Sequence, residues 1–131
     1  MSEKNKEIVE KANALLAESK TEEFLLLCAE DVEWTLLADT PSKMKGRIAI
    51  AEFMASSQGQ ESPNFTIDNV IADGEFVVAN GDMTMKTKEG ETVPYAFCDM
   101  YTFKDGKIAE LLTFINKTQA EKTTKESSAA A

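Results

Sequence analysis

Apolar residues recur at Ile8, Val9, Ala12, Leu15 and Leu16, a spacing that keeps them on one side of a helix from Glu3 to Ser19, with Ser2 placed to cap it. Ser19-Lys-Thr-Glu22 has the form of a capping box and predicts a second helix through Phe24, Leu25, Leu27 and Cys28. Val32 to Leu37 is rich in branched, aromatic and aliphatic residues and predicts a strand with Trp34 and Leu36 on one face. A loop broken by Pro41 and Gly46 follows. A third helix is expected from Arg47 to Ser57, carried by Ile48, Ala51, Met54 and Ala55 and stopped at Gln58-Gly59. Beyond Pro63 the period shortens to two. Four strands are expected in succession, joined by turns at Asp73-Gly74, Glu89-Gly90 and Asp105-Gly106. The pattern predicts one α+β domain over residues 1–117, in which three N-terminal helices cover a strongly curved, antiparallel-rich sheet shaped as an open cone. Residues 118–131 lack aromatic and branched aliphatic residues and are expected to be a disordered tail.

The strand ending in Tyr95-Ala-Phe-Cys-Asp-Met-Tyr-Thr-Phe103 is the most informative stretch. Its alternation puts Tyr95, Phe97, Asp99, Tyr101 and Phe103 on one face, an aromatic wall with a carboxylate in its middle. With Glu89-Gly90 at the turn centre, Asn80 lies across from Asp99 and Asp82 is its diagonal neighbour. Asp99 and Asp82 are therefore the candidate catalytic pair, expected to raise each other's pKa and to share a proton. A bulge at Gly81 would turn Asp82 to the other face. Asp99 as a mere core polar group and the aromatics as plain core are the competing readings. The candidate ligand-binding residues are Trp34, Leu36, Asn80, Tyr95, Phe97, Tyr101, Leu111, Thr113 and Ile115. Asp39 is a weaker candidate acid in the loop after the first strand.

Composition narrows the chemistry. The chain of 131 residues contains no histidine, which removes the usual general base, the histidine-dependent triads and most zinc sites. Neither a metal nor another cofactor is expected, and any chemistry falls to carboxylates, tyrosines, lysines or the backbone. A net charge of −9 with one arginine, Arg47, argues against nucleic acid and anionic membranes as partners. Cys28 and Cys98 have no metal-site spacing and read as small buried hydrophobes. Met1-Ser-Glu-Lys-Asn has no signal-peptide character, and no apolar run is long enough to span a membrane, so a cytoplasmic protein is expected.

Asp31-Val-Glu-Trp34, Lys45-Gly46-Arg47-Ile48 and Asp99-Met-Tyr-Thr-Phe-Lys-Asp-Gly-Lys-Ile108 resemble the SnoaL-like branch of the nuclear transport factor 2-like superfamily, over about Ile8 to Asn116. The resemblance implies the cone-shaped fold of ketosteroid isomerases and polyketide cyclases. It matches Asp99 to the buried carboxylic acid that donates a hydrogen bond to the oxyanion in the isomerases. The isomerase general base would fall at Leu36 or Leu37, and neither can take a proton. The oxyanion-hole tyrosine would fall near Ala12 or Asn13, in a helix without tyrosine. The Asp-Arg-Asp arrangement of limonene epoxide hydrolases is also missing, because Thr113 stands where an acid would be needed.

The leading expectation is a small-molecule-binding protein, with a cofactor-independent acid-base enzyme of isomerase, cyclase or lyase type as its catalytic form, acting on an apolar carbonyl compound. The alternatives are a non-catalytic binder of an apolar ligand and a dimeric protein-interaction module. A homodimer is expected through the outward sheet face, where Met83, Met85, Cys98, Met100, Ile108, Leu112 and Phe114 would form an apolar stripe; the resemblance implies the same.

Overall fold

The computed structural model describes residues 2–38, 41–55, 64–86 and 89–118. The one-sided helix forms as α1 (Ser2–Ala17) and buries Val9, Ala12 and Leu15. Ser19 closes α1. It takes a left-handed φ of 60°, while its N–H and that of Lys20 donate to the carbonyls of Leu16 and Leu15. Those two bonds make a Schellman ending. The helix boundary differs from the capping-box expectation: the residue before α2 (Thr21–Leu26) is Lys20, which makes no side-chain cap, and α2 is anchored by buried Phe24.

Cys28 begins a strand instead of ending a helix. Strand β1 (Cys28–Leu37) starts where Cys28 pairs with Ile108, and the Arg47 guanidinium donates to the Cys28 carbonyl. The expected loop after β1 contains a short strand, β2 (Ser42–Lys45), paired antiparallel to β1. Helix α3 (Arg47–Ala55) follows. Asp39, the predicted helix stop at Gln58-Gly59 and the expected tail beyond Thr118 lie outside the described residues. Then come β3 (Asn64–Asp73), β4 (Phe76–Lys86), β5 (Thr92–Lys104) and β6 (Lys107–Lys117). Asp105-Gly106 forms the tight turn that the dipeptide predicts, with both residues at positive φ.

The six strands make one open mixed sheet in the order β2-β1-β6-β5-β4-β3. The last strand lies between β1, to which it is parallel, and β5, to which it is antiparallel. Helix α1 packs on β3 and β4, and α3 on β1 and β2. The helices thus hold the sheet chiefly by its two ends. The central strands β5 and β6 face the space between them.

The β4–β5 register differs by one residue from the expected one. Lys86 pairs with Thr92, which leaves five residues in the connection where a two-residue turn was expected. An odd connection inverts the parity of the ladder, and one step of register moves every side chain to the other face. Ala79 therefore lies across from Asp99 and Gly81 across from Phe97. This register buries Val77, Ala79 and Met83. The alternative would have turned Asn80 and Asp82 inward, at the cost of burying polar groups.

Gly81 has a second constraint. A Cβ there would stand 1.8 Å from the Thr66 carbonyl oxygen, because β3 bulges toward it between Ile67 and Asn69. The bulge is in β3, across from the glycine, and the β4–β5 ladder runs unbroken past it.

The outward face is also corrected. Met83 and Met85 pair with Tyr95 and Val93 on the inner side, and Met83 is buried. Ile108 is fully buried, since the β5–β6 register shifts between Thr102 and Phe103 and turns it inward. Ile71, Phe76, Met100 and Phe114 remain exposed on the outer face, with Cys98 and Leu112 half-buried beside them.

Candidate functional site

Along β5 the inward residues grade from half-buried Tyr95 through Phe97 and Asp99 to Tyr101, which is 1% exposed. Leu36 at the end of β1 and Ile115 near the end of β6 are likewise half-buried. The inner face opens at the Tyr95 end and closes toward Tyr101. Register places Trp34 beside Leu111 and Leu36 beside Thr113, with Thr113 opposite Asp99 and Ile115 opposite Phe97. Eight of the nine predicted ligand-binding residues, all but Asn80, thus share the inner face with Asp99. Neighbouring aromatic pairs stiffen the walls: Trp34 meets Phe53 of α3 at 5.7 Å, and Phe97 meets Phe65 of β3 at 5.6 Å, both edge to face.

Asn80 and Asp82 are on the other face. Asn80 accepts a hydrogen bond from Asn69 at 3.1 Å, and Asp82 is exposed, so neither reaches Asp99. The like-charge pair expected from the sequence does not form. Desolvation alone suffices: Asp99 is 7% exposed, and burial pushes its carboxyl up to about 6, with a hydrogen bond from Thr113 working in the opposite direction.

Thr113 is itself held. The Trp34 indole N–H donates to its Oγ1 at 2.9 Å, which leaves the hydroxyl proton free to point at Asp99. Trp34, Thr113 and Asp99 form a short directed chain from β1 across β6 to β5. Nothing in the sequence signals it, because three strands must be laid side by side before it exists.

Deeper in, the Tyr101 hydroxyl donates to Oδ1 of Asn13 at 3.2 Å. Burial and the nearby Asp99 carboxyl push Tyr101 well above its ordinary pKa, so it keeps its proton. Asn13 is 6% exposed, and its Nδ2 has no hydrogen-bond partner among the described residues. Helix periodicity gives Asn13 no prominence, although the family resemblance puts the isomerases' oxyanion-hole tyrosine near it; its bond to Tyr101 exists only once α1 is laid against β5. Cys28, fully buried, has its thiol pushed up to about 12 and is inert. Among the described residues no cluster of three or more acidic, Cys or His groups is arranged to hold a metal ion, and no helix is long and apolar enough to cross a membrane.

An open mixed sheet with three helices on its inner side and a buried acid at mid-strand is the nuclear transport factor 2-like architecture. Residues 9–111 match the SnoaL-like domain family, and the chain belongs to it. A candidate polyketide cyclase from Xanthomonas campestris superposes with a TM-score of 0.76 at 20% identity, covering 86% of this chain and 90% of that one. A candidate ketosteroid isomerase from Kribbella flavida gives 0.70 at 22% identity, covering 91% and 81%. An LEH-like epoxide hydrolase from M. tuberculosis gives 0.75 at 17% identity, covering 87% and 84%. At such identities the likeness establishes the fold. Three chemistries on one scaffold leave the activity to be argued from the site. No curated protein matches the chain.

Proposed function

We propose that the inner face binds a small apolar molecule bearing a carbonyl group, and that Asp99 exchanges a proton with it in a cofactor-independent step of isomerase, cyclase or lyase type. The observation that carries this reading is a carboxyl in the middle of an aromatic wall, met by a neutral hydroxyl and poised near pH 6 by desolvation. At pH 7 a group of that pKa is about nine-tenths ionised. Asp99 is then a base toward a C–H next to the carbonyl and, once protonated, the acid that returns the proton. This differs from the role that the ketosteroid isomerase resemblance gives the same position, a permanently protonated donor. Thr113 accounts for the difference, since its hydrogen bond favours the ionised form. Trp34, Leu36, Tyr95, Phe97, Leu111 and Ile115 supply the apolar lining.

Deuterium exchange at the α-carbon of a bound bicyclic enone, followed by proton NMR, tests the proposal. Wild-type protein should accelerate exchange with a midpoint near pH 6, and Asp99→Asn should bind the enone without accelerating it. Binding with no acceleration in the wild type would instead favour the non-catalytic carrier.

A homodimer through the outer sheet face accompanies this reading. Ile71 and Phe76 are 66% and 59% exposed on this face, as are Met100 and Phe114 in part, and Phe76, Val78, Met100 and Leu112 line an open groove of about 250 Å³ together with Glu33, Lys43 and Glu110. Apolar surface of this kind favours a self-complementary contact.

A further inference from the structure

Building on the acid role proposed above for Asp99, we infer that Trp34 is its positioning residue: the indole N–H holds the Thr113 hydroxyl so that the hydroxyl proton is given to one carboxylate oxygen of Asp99 and the other oxygen remains for a ligand. What each group is able to donate sets the direction. An indole has one N–H and no acceptor, so at 2.9 Å from Thr113 Oγ1 Trp34 can only give a hydrogen bond. Thr113 therefore keeps its own proton for another partner. It stands opposite Asp99 in the β5–β6 ladder, and its hydroxyl bonds to that carboxyl. Donation runs one way, from β1 through β6 to β5.

Thr113 alone does not fix this arrangement. Its hydroxyl and methyl are close in size and occupy staggered positions on the same Cβ, so apolar packing separates the two poorly. The indole N–H decides between them, because the branch that meets it must be the oxygen. Trp34 is itself held, edge to face with Phe53 of α3 at 81° between the rings. A hydroxyl that already accepts one hydrogen bond is also a better donor of the next, since successive bonds polarise one another. The acid gains a fixed orientation: with one oxygen engaged by Thr113, a proton is taken up and returned at the other, and proton transfer gains from geometry set before the ligand arrives. Among the described residues no charged group competes for this control. Asp99 lies between Ala79 of β4 and Thr113 of β6, with Phe97 and Tyr101 on either side along β5. Its titratable neighbours, Tyr101 and Cys98, are both shifted upward and stay protonated, and α1 brings only the neutral Asn13 amide to Tyr101.

The chain has one tryptophan, so a single indole cross-peak in a proton–nitrogen NMR spectrum belongs to Trp34. In the wild type that peak should titrate with the midpoint of the Asp99 carboxyl carbon, near pH 6, and in Thr113→Val it should cease to follow the carboxyl. Trp34→Phe keeps a ring against Phe53 and deletes the N–H. It should raise the Asp99 midpoint by about half a pH unit, less than Thr113→Val does, and should raise it no further when added to Thr113→Val. An equal rise with and without the hydroxyl would mean that Trp34 acts by packing or through space, which overturns the positioning role. So would a Trp34→Phe protein that loses stability but keeps the wild-type midpoint. An indole peak that ignores the Asp99 titration in the wild type overturns it as well, with no variant needed. These measurements read protonation and not turnover. A wild type whose indole follows Asp99, and which nevertheless accelerates no deuterium exchange in a bound enone, would sink the proton transfer and uphold the positioning of the carboxyl.

Discussion

Asp99 draws stability out of the fold as pH rises. Its ordinary pKa is 3.8 and its folded value about 6, so between these limits the native state holds more protons than the unfolded chain. Stability then falls with increasing pH across that window, by about 3 kcal/mol in total, and is flat with respect to this group above it. Asp99→Asn removes the penalty. Urea titrations should find the variant about 2 kcal/mol more stable than wild type at pH 7.5, with the gap closing by pH 4; parallel curves at all pH values would contradict the burial of the charge. Thr113 is read by a different probe. Thr113→Val deletes the hydroxyl that favours the carboxylate, and carbon-detected NMR should then place the Asp99 midpoint above its wild-type value, whereas an unmoved midpoint would remove Thr113 from the site. Asp99 is legible in the sequence because alternation along one strand sets it among aromatics. The Trp34–Thr113 bond and the orphaned Asn13 amide are not, since each joins elements far apart in the chain.

At the scale of the elements, the β3–β4 pair depends on a position without a side chain. Gly81→Ala would drive a Cβ into the Thr66 backbone, where neither strand can yield without breaking the ladder. The cost should exceed about 2 kcal/mol, read as a lower urea midpoint; wild-type stability would mean that the bulge is not held in place. Periodicity identifies the three helices and the four-strand meander because each of these segments carries its own amphipathic signal. It misses β2, whose Ser42-Lys-Met-Lys45 offers one buried residue, and it misplaces Cys28, whose strand pairing is decided by Ile108 eighty residues later. Register is the harder quantity. Glycine at residue 90 marks a turn but not its length, and the parity of that length decided the faces of Asn80 and Asp82.

For the whole molecule, the apolar outer face predicts association. Sedimentation at tens of micromolar should show a dimer. Phe76→Lys with Met100→Glu should shift the wild-type dimer to monomer without unfolding it, and a monomeric wild type would exclude this face as the interface. The position of β6 has a consequence of another kind. This strand is made last and sits in the middle of the sheet, with the earliest strand on one side and β5 on the other. On the ribosome, β1 must wait for a neighbour that is still some seventy residues from being synthesised. Until Lys107–Lys117 emerges, the nascent chain holds two unjoined sheet fragments with open edges, the situation in which chaperones are most needed. Birth of the domain is a single event set by the arrival of its sixth strand rather than a process spread along its synthesis.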